Sequence, residues 1–331
     1  MVSILLPVYN AMPFLHDCLQ SIVQQTELDW ELIAVEDHST DSSAELLQIW
    51  GEKDSRIKVF KNPGKGIIPA LRKAYAESKG ELISRMDADD KMMPRKLERL
   101  KEVLLMAGPG HLATAFVQYF SEKQLGDGYL KYEQWLNELS LTSSNFQDIY
   151  KECVIPSPCW MIHRADLDNC GAFELDTYPE DYDLCFRFYR TGLNIVTCKE
   201  VLHLWRDHPF RSSRTDPHYA HQSYFELKLP YFLNLDYKPQ RPLVLWGAGK
   251  KGKQIAKMLS DKGIPFRWLC NTPTKWGRVI HGAILEPSEV LLNINQPQVL
   301  VAIAGPDDQE LIKNQLSEWG LKLQSDYFFF C

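Results

Sequence analysis

An apolar run ends at Arg85-Met86-Asp87-Ala88-Asp89-Asp90, which places three carboxylates within four residues. Such close carboxylates repel one another, so solvent, bases or a cation must compensate them. A few hard oxygen ligands suit magnesium or manganese, which complete an octahedral shell with waters and phosphate oxygens. The competing reading is an acidic start to the helix near Pro94, where negative charge meets the positive end of the helix dipole. A second cluster, Glu36-Asp37-His38-Ser39-Thr40-Asp41, also follows an apolar run. There Asp41 reads as the cap of the next helix and Asp37 as a strand-end carboxylate. The third, Tyr178-Pro179-Glu180-Asp181-Tyr182-Asp183, opens a predicted helix that carries Arg187 and Arg190. The fourth runs from Trp205 to Arg214, where Arg206, His208, Arg211 and Arg214 either receive phosphate or line a solvated loop.

The elements that must position these clusters are legible from periodicity. Strand-like runs at 2–8, 31–36, 57–60 and 81–86 alternate with amphipathic stretches at 13–25, 41–50, 66–79 and 94–106. That alternation predicts a mostly parallel sheet covered by helices, with ligands beyond the carboxyl ends of the strands. After residue 110 loops and short helices are expected, then a helix at 181–190, a strand at 194–205 and a helix from about 216 to 234. A linker over 236–242 leads to a second α/β unit, so two domains are expected, 1–236 and 237–331. The length of 331 residues, beyond what one core usually organises, points the same way.

With 45% apolar and 24% charged residues the chain is neither disordered nor collagen-like, and its formal charge of -6 offers no global attraction for nucleic acid. The eight cysteines form no C-x-x-C spacing and read as reduced thiols of a cytosolic protein. The N-terminal run is broken by Pro7 and reads as a strand rather than a signal peptide. No stretch of about 18 uninterrupted apolar residues is present, so any membrane contact is expected to be peripheral.

Four motifs now stand in order: Pro7-Val8-Tyr9-Asn10, Glu36-Asp37-His38-Ser39-Thr40-Asp41, Asp87-Ala88-Asp89-Asp90 and Glu180-Asp181-Tyr182-Asp183-Leu184. Together, over about residues 1 to 215, they resemble family 2 glycosyltransferases. The resemblance implies the GT-A nucleotide-diphospho-sugar transferase fold and an inverting, metal-dependent transfer from a nucleotide sugar, most commonly a UDP-sugar. By resemblance Pro7 and Tyr9 border the nucleotide, with Tyr9 stacking on the base and Asp37 hydrogen-bonding it. Asp87 contacts the ribose, Asp89 holds Mn2+ or Mg2+ with His208 as a further candidate ligand, and Asp90 supports them. Asp181 becomes the catalytic base, and Glu180 helps position the acceptor. The segment from Pro158 to Phe173 matches the acceptor-side wall, where Trp160 either stacks on a sugar ring or lies in the core. Lys65 and Arg206 either add positive charge for phosphate or are surface residues. Glu36 departs from the aspartate usual in the second motif, and the Q-x-x-R-W of processive synthases is absent. The implied partners are a nucleotide-sugar donor and a saccharide or lipid-linked acceptor, in cell-surface polysaccharide biosynthesis, with no nucleic acid.

In the second unit Gly247-x-Gly249-x-x-Gly252 follows a strand and fits a dinucleotide fingerprint whose helix N-terminus could receive phosphate. The acid expected about 20 residues on is missing, since that region reads Leu269-Cys270-Asn271-Thr272. The unit resembles small Rossmann-like modules, and its glycines serve either packing or a nucleotide. Two rival functions follow: a non-catalytic sugar-nucleotide sensor, or an NAD-dependent oxidoreductase working from the second domain.

Overall fold

The computed structural model describes residues 1–122, 124–215 and 224–331. Two compact units divide the chain: Met1–Phe146 with Val154–Ala220, and Gln147–Cys153 with His221–Cys331.

The first unit opens with the expected alternation: β1 (Val2–Val8), α1 (Met12–Val23), β2 (Trp30–Glu36), α2 (Ser43–Lys53), β3 (Ile57–Lys61), α3 (Ile67–Glu77) and β4 (Leu82–Arg85). Strands β1 and β2 are buried almost throughout, as parallel strands covered on both faces must be. Helix α1 begins at a proline-containing first turn, where the missing N–H has no partner to lose. There follow β5 (Lys91–Met92), α4 (Lys96–Ala107), β6 (His111–Phe120), α5 (Asp127–Leu141), β7 (Trp160–His163) and α6 (Arg164–Asn169). The unit is completed by α7 (Glu180–Arg190), β8 (Asn194–Arg206) and the single turn α8 (Ser212–Thr215).

The sheet order is β3-β2-β1-β4-β7-β6-β8-β5. Strand β1 is parallel to both β2 and β4, with Val8 opposite Glu36 and Leu5 opposite Arg85. Tyr9, Asp37 and Asp87 therefore leave the sheet along one carboxyl edge. Strand β7 runs antiparallel between β4 and β6. Strand β5 pairs antiparallel with β8, Met92 facing His203 and Lys91 facing Leu204. This pairing draws the end of β8 against the acid cluster that immediately precedes β5.

The stretch after residue 110 is more ordered than its sequence suggests. Strand β6 is buried at Leu112, Ala113, Thr114, Ala115 and Val117, so both faces are covered and no period-2 alternation marks it. Helix α5 buries only Leu136 and Ser140, too narrow a stripe to register as amphipathic.

The second unit contains α9 (Phe225–Leu235), β9 (Leu243–Trp246), α10 (Lys250–Asp261), β10 (Arg267–Leu269), β11 (Val279–Ile280), β12 (Ala283–Glu286), β13 (Gln298–Val301), α11 (Pro306–Glu318) and β14 (Tyr327–Phe329). Its sheet order is β11-β12-β10-β9-β13-β14, parallel throughout except for β11. The helix expected from about 216 begins at Phe225, and residues 216–223 lie outside the described residues. Helix α9 belongs to this unit and not to the one before the linker. Its Phe232 ring lies 5.6 Å from Tyr150, 5.1 Å from Phe328 and 5.6 Å from Phe330, an aromatic cluster that sequence spacing does not reveal.

The three glycines after β9 do different things. A side chain on Gly252 would collide with the Gly247 carbonyl, and one on Gly247 would come within 2.7 Å of the Ala302 carbonyl, whereas Gly249 faces open space. Gly247 and Gly252 thus let the start of α10 sit close on the sheet. No helix among the described residues is long and apolar enough to cross a membrane.

Candidate functional site

Arg85, the last residue of β4, organises the carboxyl edge of the first sheet. Its Nε donates to Asp87 Oδ1 at 3.0 Å and its Nη1 donates to Glu180 Oε1 at 3.0 Å. Arg85 and Glu180 are 4% and 7% exposed, so one desolvated guanidinium joins the strand-end acids to the first turn of α7. Ser157 adds a hydroxyl hydrogen bond to Asp87 Oδ2 at 3.2 Å. Burial pushes the Asp87 carboxyl up despite the Arg85 charge beside it.

Asp89 faces a different partner. Its Oδ2 lies 2.8 Å from His208 Nε2, and the Phe14 ring closes over the imidazole at 4.3 Å. Burial would raise the Asp89 carboxyl, but the His208 hydrogen bond and the Arg211 charge outweigh it and hold the carboxyl below its usual range. Among the described residues no group of three or more His, Cys, Asp or Glu side chains gathers as a metal cluster. A carboxylate and an imidazole side by side nevertheless suit a divalent ion that takes its other ligands from water and phosphate.

Arg206 departs from the expectation of a phosphate receptor. It is 6% exposed, held between the rings of Phe14 at 4.9 Å and Phe120 at 4.6 Å. Its Nε donates to the Asp89 carbonyl at 2.8 Å and its Nη2 to Asp17 Oδ2 at 3.1 Å. The side chain is committed to shaping the carboxylate loop.

Asp37 lies 7% exposed at the end of β2. Its Oδ1 accepts from Asn62 Nδ2 at 2.6 Å and its Oδ2 from the Gly66 N–H at 2.8 Å. It therefore ties β2 to the Asn62-Pro63-Gly64-Lys65-Gly66 loop. Gly66 sits at φ 96°, a conformation that disfavours any side chain. Tyr9 stands 58% exposed at the same edge, Pro7 is half-buried and Lys65 is exposed. Asp41 is not a simple helix cap: its Oδ1 accepts from Ser43 N–H at 3.0 Å and its Oδ2 from Met12 N–H at 3.1 Å, so it bridges the starts of α2 and α1. Glu36 turns inward and accepts the Ser39 N–H, a contact within its own turn.

At the start of α7 the acids divide their labour. Asp183 forms a buried 2.8 Å ion pair with Arg187 one turn later. Asp181 is half-buried and accepts the Tyr182 N–H at 2.8 Å. Burial and the neighbouring Glu180 push its carboxyl up to about 7, the range of a group able to take and release a proton near neutrality.

Trp160 corrects the sugar-stacking option. It is 2% exposed on β7, with its ring 6.0 Å edge-on to Phe188. So enclosed, it belongs to the core and presents no face to a ligand. Four further polar residues shape the edge without being singled out by sequence reasoning: Arg85, Ser157, Asn62 and His203. For Arg85 the sequence does carry a signal, a charged residue inside an apolar strand immediately before an acid cluster.

The N-terminal half of the chain, residues 3–171, matches the family described as Glycosyl transferase family 2. Among curated relatives, Glycosyltransferase GlyG of Streptococcus pneumoniae is 33% identical over 65% of this chain and 74% of its own length. The putative teichuronic acid biosynthesis glycosyltransferase TuaG of Bacillus subtilis is 34% identical over 32% of this chain and 42% of its own. The chain spans between 30% and 42% of the length of the first three curated relatives it matches. Among solved structures, residues 1–349 of S. aureus TarS in complex with UDP-GlcNAc superpose with a TM-score of 0.53 at 15% identity, over 80% of this chain and 81% of that one. The mannosyltransferase PcManGT of Pyrobaculum calidifontis, in complex with GDP-Man and Mn2+, gives 0.52 at 18% identity, over 72% and 65%. These likenesses show a shared GT-A-like fold, a curled and mostly parallel sheet. With the family match covering just over half of its 331 residues, the chain belongs to glycosyl transferase family 2.

Proposed function

We propose that the protein is an inverting, metal-dependent glycosyltransferase that moves a sugar from a nucleotide diphosphate, UDP before GDP or dTDP, to a hydroxyl of a saccharide or lipid-linked acceptor. The observation that carries this reading is the Arg85 bridge, which gathers the donor-side acid Asp87 and the acceptor-side acid Glu180, the chain neighbour of Asp181, onto one guanidinium. In this reading Tyr9 offers its exposed ring to the base, and Asp37 and Asn62 form the rim of the base pocket. Asp89 and His208 are the residues that hold manganese or magnesium. When bound, the ion offsets negative charge on the departing diphosphate. Asp181 takes the proton from the acceptor hydroxyl as its oxygen bonds to the anomeric carbon. The bond from that carbon to the diphosphate oxygen breaks, the nucleoside diphosphate leaves, and the anomeric centre inverts. We place the reaction in cell-surface polysaccharide assembly, in the cytoplasm or peripherally at the inner face of the membrane; the relative TuaG is named for putative teichuronic acid biosynthesis.

The second unit is read as a Rossmann-like module. Counted within the unit, its five parallel strands follow the order 3-2-1-4-5, that of a dinucleotide-binding half with its extension. Packing already accounts for Gly247 and Gly252, which leaves Gly249 as the glycine open to a ligand.

Thermal unfolding against UDP, GDP, dTDP and NAD, each with and without manganese, tests the proposal. A ligand that binds only the folded state adds about 2.7 kcal/mol at a hundredfold excess over its dissociation constant. One nucleoside diphosphate should stabilise the chain in a manganese-dependent way, and Asp89→Asn should abolish the manganese dependence. Stabilisation by NAD alone, indifferent to manganese and to Asp89, would move the chemistry to the second unit. Because the base must be ionised, kcat/KM should rise with pH through a limb centred near 7, the value to which Asp181 is pushed. A profile flat between pH 5.5 and pH 8, a span chosen on either side of about 7, would remove Asp181 from the role.

A further inference from the structure

Beneath the carboxylate loop runs a buried polar chain that the proton transfer itself does not use. Lys96, His203 and Asp90 are 0%, 0% and 1% exposed. Lys96 Nζ donates to the Pro158 carbonyl at 2.5 Å and lies 3.1 Å from His203 Nδ1. On the other side of the ring, His203 Nε2 lies 3.0 Å from Asp90 Oδ2. Asp90 Oδ1 then accepts the Arg206 N–H at 2.7 Å.

The two ends of this chain reach the two arms of the site. Asp90 adjoins Asp89 and fixes the backbone of Arg206, whose guanidinium holds the Asp89 carbonyl. Pro158 adjoins Ser157, whose hydroxyl donates to Asp87. An ammonium group has donors and no acceptor, so His203 Nδ1 accepts from Lys96 and the imidazole proton sits on Nε2, facing Asp90. Burial, with Lys96 and Arg211 nearby, holds the His203 imidazole well below its ordinary range, which keeps it neutral.

We propose that Lys96, His203 and Asp90 form a positioning relay that holds the Asp89 arm and the Asp87 arm in register for metal and donor. None of the three touches a reacting atom; they act through the residues they fix. The inference rests on the reading of Asp89 as a metal ligand.

Manganese uptake, followed by electron paramagnetic resonance with manganese chloride alone and with UDP, tests it on His203→Gln and His203→Leu. The glutamine amide retains both an acceptor for Lys96 and a donor for Asp90, whereas leucine fills the space with neither. His203→Gln should bind manganese within about threefold of the unsubstituted chain, and His203→Leu about tenfold or more weakly, the scale seen when a partner behind a metal ligand is removed. Nitrogen-15 shifts of the histidines, with His203 assigned from the His203→Gln spectrum, should show a neutral ring protonated on Nε2 at pH 7. If His203→Leu does not fold, Lys96→Met supplies the same comparison, with a similar weakening expected. Equal manganese affinity in the two His203 variants, or a ring protonated on Nδ1, overturns the relay. An unsubstituted chain that takes up no manganese with or without UDP overturns instead the metal reading beneath it, and the nitrogen-15 spectrum distinguishes the two failures.

Discussion

Asp181→Asn should lower donor turnover by about a thousandfold, within the 10²- to 10⁴-fold range of a positioned general base, while UDP and manganese affinities change by less than about twofold. The amide keeps the shape of the carboxylate and can still accept the Tyr182 N–H, now made at 2.8 Å. What it cannot do is take a proton. Stability provides the internal control. Asp181 has a folded-state carboxyl raised to about 7 by burial and by Glu180, against an ordinary 3.8, so it costs stability progressively as the pH rises from 3.8 to about 7 and the full penalty applies above that value. Removing the charge should therefore leave the melting temperature at pH 8 equal or higher. Turnover assayed as nucleoside diphosphate release, beside a melting curve, separates loss of chemistry from loss of fold. An active Asp181→Asn protein would return the role to another group at the same edge.

The strand-end acids are legible in the sequence because of where they fall in the chain. In an alternating α/β pattern, polar residues directly after a buried strand must gather at the carboxyl edge, and Asp37, Asp87 and Asp89 do so. The order of the strands is not legible in the same way. That β7 separates β4 from β6, and that β5 returns to pair with β8, depends on antiparallel contacts between segments far apart in sequence. For that reason sequence spacing alone cannot pair Asp87 with Ser157, and it joins Asp89 to His208 only as candidate ligands of one ion, not as the 2.8 Å contact that the fold makes. Burial is equally hidden for Trp160 and Arg206. An aromatic on an acceptor wall and an arginine in a basic loop invite ligand roles, and only packing shows that Phe188 covers one and that Phe14 and Phe120 enclose the other. Strand β6 illustrates the same limit at the level of the fold, since a strand covered on both faces loses the alternation by which strands are recognised.

Arg85→Met should be the most damaging single change at the site, because it removes the cation shared by two carboxylates in a desolvated setting. Breaking a buried ion pair by deleting one partner costs about 3–5 kcal/mol, and methionine restores the volume without the charge. The expected melting curve shows a lowered midpoint at pH 8 that partly recovers toward pH 5. The sign follows from Asp87 and Asp181, whose folded-state carboxyls already stand above their ordinary values, and which Arg85 pulls back down. Without Arg85 both rise further, the folded state binds more protons than the unfolded chain, and stability falls as pH increases through that window. The same loss shifts chemistry: with Asp181 harder to ionise, the acid limb of kcat/KM should move from near 7 to higher pH, and turnover at pH 7 should fall more than turnover at pH 9. A purely structural arginine would lower stability and leave the limb in place. Movement of the limb, measured on the fraction that remains folded, would show that one guanidinium sets both the geometry of the edge and the proton affinity of its base.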